Sequence, residues 1–132
     1  MATLGENQEE GLKAMAVQAG TPDTELLPGL APGSGELVFE KSTRSAFVGT
    51  AVELALRARD IGTIVIAGVQ TDQGVEVTAR HAFALGFFPV VAEDAVGSRT
   101  SAAHELGITF LRGTQTDLAT VQVIAEAWQT DR

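Results

Sequence analysis

Three features of this 132-residue chain predict an α/β domain in three layers, a parallel sheet flanked by helices. From residue 36 the apolar pattern alternates in the order β-α-β-α-β-α-β-α, with short connections. Such alternation lays strands parallel and returns the chain through helices on the sheet faces. The run Thr63–Gly68 is β-branched and largely apolar, the composition of a strand covered on both faces. Hydrophobic residues make up 45% of the chain, so one packed core is expected rather than disorder.

The elements follow in order. Glu6–Ala19 reads as a helix with Leu12, Met15, Ala16 and Ala19 on one face, and Gly20 stands where a C-terminal cap belongs. Thr21-Pro22 is an N-cap and first-position pair for a short helical turn through Leu27. Pro28–Gly35 is a Pro/Gly-rich loop, and Glu36–Glu40 a short strand. Thr50 and Glu53 have capping-box spacing and open a helix to about Asp60. After the strand at Thr63–Gly68, Val75, Ala79, Ala82 and Phe83 mark one face of a helix over Gln73–Leu85, ended by Gly86. Phe88–Ala92 is a strand. Thr100–Arg112 is a helix with Ala103, Leu106 and Phe110 on one side. Leu118–Thr120 is a last short strand, and Val121–Trp128 a closing helix. A sheet of about four strands results, with Phe47, Phe87, Phe88 and Phe110 expected in the core.

Charge and composition exclude several functions. The net charge is −8, with 17 acidic against 9 basic residues, so no nucleic-acid partner is expected. No basic amphipathic helix and no apolar run of roughly 20 residues suggests a membrane partner. The acidic start, MATLGENQEE, lacks the apolar stretch of a signal peptide, which makes a cytoplasmic location the default. With no cysteine, thiol catalysis, thiolate metal sites and disulfides are excluded.

Chemistry concentrates in AGVQTDQGVEVTARHA, residues 67–82, where a strand passes through a polar turn into a helix. Backbone N–H groups and the helix dipole converge at such a place, and the Gln70–Gly74 turn is a candidate ligand site. The stretches GTPDTELLPGLAPGSGELVFEKSTRSAFVGT and IVIAGVQTDQGVEVTARHAFALGFFPVVAEDAVGS resemble the isochorismatase-like hydrolases, also called cysteine hydrolases. Lys41 with Ser45-Ala46-Phe47 and Gly49-Thr50, the turn Gly68–Val75, and Asp94-Ala95 carry the resemblance, which spans about Gly20 to Ile124. It implies a single Rossmann-like α/β domain over 1–132, with residues 1–19 a divergent N-terminal helix.

Amidases of that family use an Asp–Lys–Cys triad. Lys41 matches the lysine, and Gly74 stands at the cysteine position. No apolar strand ending in Asp precedes residue 36, so the aspartate has no counterpart and the family's first strand-helix-strand portion is expected to be absent. Removing a nucleophile that acts within a unit costs about 10⁶-fold in rate, so thiol-type amidase chemistry is excluded. True isochorismatases carry glycine at this position; hydrolysing a vinyl ether requires an acid rather than a nucleophile. The resemblance assigns Lys41 and Gly74 to the catalytic positions, and Phe47, Gln70, Thr71 and Gln73 to substrate binding.

Each residue also has a plainer reading. Gly74 serves a turn or close helix packing, and Lys41 is an ordinary exposed lysine. Thr71, Ser42 and Ser45 are hydroxyls that would need a base, and His81 and His104 read as surface or helix-face residues. Asp94 reads as a cap for the turn before Ser98. Two distant histidines make no metal site, so neither metal nor cofactor is expected. The expected function is hydrolysis of a small carboxylate-bearing or amide-like molecule such as a vinyl ether. The alternative is an inactive paralogue that binds a ligand or a partner subunit. Loss of the neighbouring strands would leave a bare edge on Thr63–Ala67, so a homo-oligomer is expected.

Overall fold

The computed structural model describes residues 20–130 and divides the chain into two compact units, 1–38 and 39–132. The expected helix Glu6–Ala19 lies outside the described residues. In the first unit, Pro22–Thr24 and Pro28–Leu30 are single 3₁₀ turns, each with a proline at its start. The expected turn through Leu27 is therefore shorter: Glu25 is already extended, at φ −72° and ψ 141°, and Leu27, before Pro28, is kept out of the helical region as well. Leu26, Leu27, Leu30, Leu37 and Val38 are exposed. The expected strand Glu36–Glu40 does not form; residues 36–40 carry no strand and are exposed. An extended segment becomes a strand only when a neighbour accepts its hydrogen bonds.

The second unit holds the sheet. Three strands, β1 (Thr63–Val69), β2 (Phe88–Gly97) and β3 (Asp117–Ala119), lie parallel in the order β1-β2-β3. That is one strand fewer than expected, the missing one being residues 36–40. Ile66 pairs with Val91 but Gly68 with Val96, an irregularity in the β1–β2 ladder. β1 is paired on one side only among the described residues, and its last residue, Val69, is 80% exposed. β2 runs five residues past the expected Ala92.

Four helices pack with these strands: α1 (Val52–Arg57), α2 (Glu76–Ala84), α3 (Ser101–Arg112) and α4 (Val121–Thr130). None of the described helices is long and apolar enough to cross a membrane. The capping box expected at α1 is absent. Thr50 Oγ1 donates to Ala46 O at 2.5 Å and accepts from Val52 N at 3.3 Å, while Glu53 pairs with Arg57 at 2.8 Å. Asp60, at φ 54°, is left-handed and follows the end of this short helix. Thr100, expected as the first residue of α3, is its N-cap instead, accepting from Ala103 N at 3.2 Å. Asp94 caps a different element from the one expected: its carboxylate accepts from Val121 N at 2.8 Å, at the start of α4. A negative group there also suits the helix dipole.

One core cluster joins Val75, Ala79, Val91 and Leu111, with Ile66, Val96, Ile108 and Leu118 against it. The other joins Phe47, Ala82 and Phe87, with Val52, Leu56, Ile64 and Leu85 against it. Phe47 and Phe87 stack at 5.9 Å between centroids, and Arg57 lies over the Phe87 ring at 4.8 Å. Phe88 and Phe110, expected in the core, are about half exposed, as is Leu106. α3 instead buries Gly107 and Leu111, turned by a close approach of Gly107 to the turn after β1.

Candidate functional site

The chain leaves β1 through Gly68, at φ 116°, a backbone region that glycine enters without a Cβ penalty. The Val69–Gln70 peptide is cis. A wide helical turn over Thr71–Val75 follows, in which Gln73 N and Val75 N both donate to Gln70 O at 3.1 Å. α2 continues directly from it, so the turn is the N-terminal end of one long helical run.

Side chains from later in the chain fix this turn. Thr71 is fully buried, and its Oγ1 lies 2.9 Å from Nδ1 of His104 on α3. The Asp72 carboxylate accepts from Ser98 Oγ at 2.6 Å, just past β2. That hydrogen bond, foremost, holds the Asp72 carboxyl below its ordinary range. Its own amide, Gln73 and the charge of Arg44 act in the same sense, and desolvation acts against them. Gly107 makes the approach possible: a Cβ there would stand 2.7 Å from Asp72 N and 2.8 Å from the Thr71 carbonyl carbon.

The Arg44 carbonyl is the meeting point on the other side. Lys41 Nζ donates to it at 3.4 Å and to Thr43 O at 2.9 Å. Thr78 Oγ1 of α2 donates to it at 3.5 Å. A Cβ on Gly74 would lie 3.6 Å from this oxygen and 3.8 Å from Val69 O, which is ordinary contact. Lys41 and Gly74 are thus brought together, one carbonyl between them. Gly74 has no left-handed backbone, so neither conformation nor packing requires glycine there. The close-packing role read for Gly74 belongs to Gly107.

The other assigned residues divide. Gln70, Gln73 and Thr71 lie in the turn, and Thr71 faces His104. Phe47 is buried in the core between Phe87 and His81, whose ring is 5.4 Å away. Ser42 is exposed.

Sequence reasoning missed two hydroxyl–imidazole pairs. Besides Thr71 and His104, the buried Ser45 Oγ lies 2.8 Å from His81 Nδ1 and accepts from Phe47 N at 3.2 Å. Both histidines are half-buried anchors rather than surface residues. The spacing of His104, Gly107, Ile108 and Leu111, at i, i+3, i+4 and i+7, already held this signal. Behind the turn, Ser98, Ser101, His104 and Glu105 help line an open cleft of about 430 Å³.

The family model described as Isochorismatase domain matches residues 3–123. The chain belongs to the isochorismatase family. Its match to that family starts before Gly20, where the recognisable motifs begin. This isochorismatase-family chain is 38% identical over 87 residues to the isochorismatase family protein YwoC of Bacillus subtilis (strain 168), covering 66% of this chain and 46% of that protein. It is 32% identical over 103 residues to maleamate amidohydrolase of Pseudomonas putida, covering 78% and 48%. The chain spans about half the length of these curated relatives. An isochorismatase-like hydrolase from Alkaliphilus metalliredigens superposes with TM-score 0.79 at 32% identity, covering 83% of this chain and 59% of that one. A cysteine hydrolase from Pseudomonas syringae reaches TM-score 0.86 at 20% identity over 98% of this chain and 66% of that one, a likeness of fold.

Proposed function

We propose that this isochorismatase-family chain binds a small carboxylate-bearing molecule at the Lys41–Gly74 turn and performs no thiol-type amide hydrolysis there. The observation that carries this reading is the convergence of Lys41 Nζ and Gly74 on the Arg44 carbonyl. An ammonium beside the N-terminal end of a helical run favours an anion. The name maleamate amidohydrolase, borne by a relative, points to a substrate of the same acidic kind. Against hydrolysis of an amide stand the absence of cysteine and the burial of Ser45 and Thr71, each engaged with a histidine.

A second reading, hydrolysis of a vinyl ether, is favoured by Gly74 itself. Nothing in the backbone demands glycine there, so its presence fits a reaction without a nucleophile. That reaction needs a proton donor, and Asp72, held ionised, is unsuited to the task. A cytoplasmic location and a homo-oligomer that covers the outer edge of β1 belong to the same proposal.

The test is amide NMR during titration with benzoate. Thr71–Val75 signals are expected to move in the wild type and to stay still in Lys41→Ala. Shifts confined to distant residues would place the ligand elsewhere. A vinyl-ether substrate consumed by the wild type and spared by Lys41→Ala would establish the second reading.

A further inference from the structure

Around the turn, two guanidinium groups, those of Arg44 and Arg99, are left without a hydrogen bond or ion pair among the described residues, although the Arg44 charge acts on the Asp72 carboxylate. Lys41 Nζ is committed to two backbone carbonyls. The Asp72 carboxylate is held by Ser98. Arg57, Arg80 and Arg112 each face a carboxylate, those of Glu53, Glu76 and Glu93. Arg44 differs. Its guanidinium makes no hydrogen bond and no ion pair with any described residue, and its side chain is exposed. Its backbone, by contrast, is the anchored hub of the site, with Lys41 and Thr78 donating to its carbonyl and residue 74 beside it. A guanidinium fork that makes no hydrogen bond is therefore rooted at the turn, its charge felt by Asp72.

From this geometry we infer that Arg44 is the specificity-determining residue of the turn, taking the carboxylate of the ligand on its guanidinium fork while Lys41 supplies the local positive field. The inference rests on the carboxylate-binding function proposed above. A planar fork matches a planar carboxylate with two parallel hydrogen bonds, which an ammonium cannot do. The nearby Asp72 charge, which senses Arg44, disfavours a dianion and so favours a monocarboxylate over a phosphate.

The experiment compares benzoate with benzamide, nearly the same shape with and without charge, by amide NMR on the wild type, Arg44→Gln and Arg44→Lys. The wild type is expected to prefer benzoate by about tenfold or more. Arg44→Gln removes the preference while leaving benzamide affinity unchanged, and Arg44→Lys restores only part of it. A merely structural role would weaken both ligands alike. Arg44→Gln retaining the full preference, or losing both ligands equally, overturns the assignment of Arg44 alone. Absence of any benzoate response at Thr71–Val75 in the wild type overturns the carboxylate reading, and this inference with it. The side chain is exposed, so all three proteins are expected to melt together, which a thermal scan checks.

Discussion

Alanine at two glycines of the same locus should shift stability in opposite directions. At Gly107 the new Cβ would lie 2.7 Å from Asp72 N, 2.8 Å from the Thr71 carbonyl carbon and 2.9 Å from Asp72 Cα. All three are backbone atoms and cannot swing aside. Ordinary carbon contacts lie at about 3.5–4.0 Å, so α3 must withdraw from the turn by roughly 1 Å. Overpacking costs about 1–3 kcal/mol, and against rigid backbone atoms the upper part of that range, about 2–3 kcal/mol, applies, of which the better helix propensity of alanine returns about 1 kcal/mol. A net loss of about 1–2 kcal/mol follows for Gly107→Ala. At Gly74 the nearest atoms are at 3.6 and 3.8 Å and the backbone is not left-handed, so alanine fits. Restricting the unfolded chain there stabilises by about 0.4–1 kcal/mol. Urea unfolding of both variants beside the wild type measures the difference, with thermal midpoints moving by roughly 3–6 °C per kcal/mol. Gly107→Ala as stable as the wild type, or Gly74→Ala destabilised by about 1 kcal/mol or more, would refute the close-approach argument.

Other expectations are briefer. Gly74→Cys should fold, yet hydrolyse neither nicotinamide nor N-carbamoyl compounds; clear turnover would mean that some group of this chain does the work of the family's aspartate. His104→Leu leaves the buried Thr71 hydroxyl without its partner and should cost about 1–3 kcal/mol in urea unfolding, much of it recovered when Thr71→Val is added. Equal losses in the single and double variants would show that the bond contributes nothing. Because the folded-state pKa of Asp72 is lowered, its contribution to stability is present above the ordinary carboxylate pKa and is lost as pH falls through the lowered value. Ser98→Ala should raise the carboxyl titration of Asp72 seen by NMR; an unmoved midpoint would deny Ser98 the leading part. The proposed pairing along the β1 edge should give self-association in sedimentation at micromolar concentration, weakened by Val69→Lys; a well-folded wild-type monomer would count against it.

What periodicity could and could not reveal follows from range. β1 and α2 were legible because a β-branched run and a 3.6-residue stripe are local signals, and both elements stand where the pattern put them. Residues 36–40 have strand composition but no strand, since pairing depends on a neighbour that composition does not encode. On α3 the bulky residues Leu106 and Phe110 drew attention to the wrong face; the buried face is set by Gly107, whose lack of a side chain is its contribution. At the site, Lys41 and Gly74 could be named from motifs, but their shared carbonyl, Arg44, is a backbone group and leaves no mark in residue identity. The histidine pairs went unseen for a related reason. Their partners lie 36 and 33 residues away, beyond the reach of any helical or strand period.

The bonds that fix the turn run from Thr71 to His104 and from Asp72 to Ser98, so the segment proposed to bind is held from the β2–α3 connection and from α3 itself. In the opening equilibria that hydrogen exchange reports, α3 and the turn should behave as one cooperative unit. Each time α3 undocks, the turn loses its restraint, and the open fraction is unable to bind. The relation is reciprocal: a ligand that requires the closed turn adds RT ln(1 + [L]/Kd) to the opening free energy, about 2.7 kcal/mol at 100 times Kd. Slowed exchange should then extend into the buried amides of Ser101–Arg112, well beyond the residues the ligand touches.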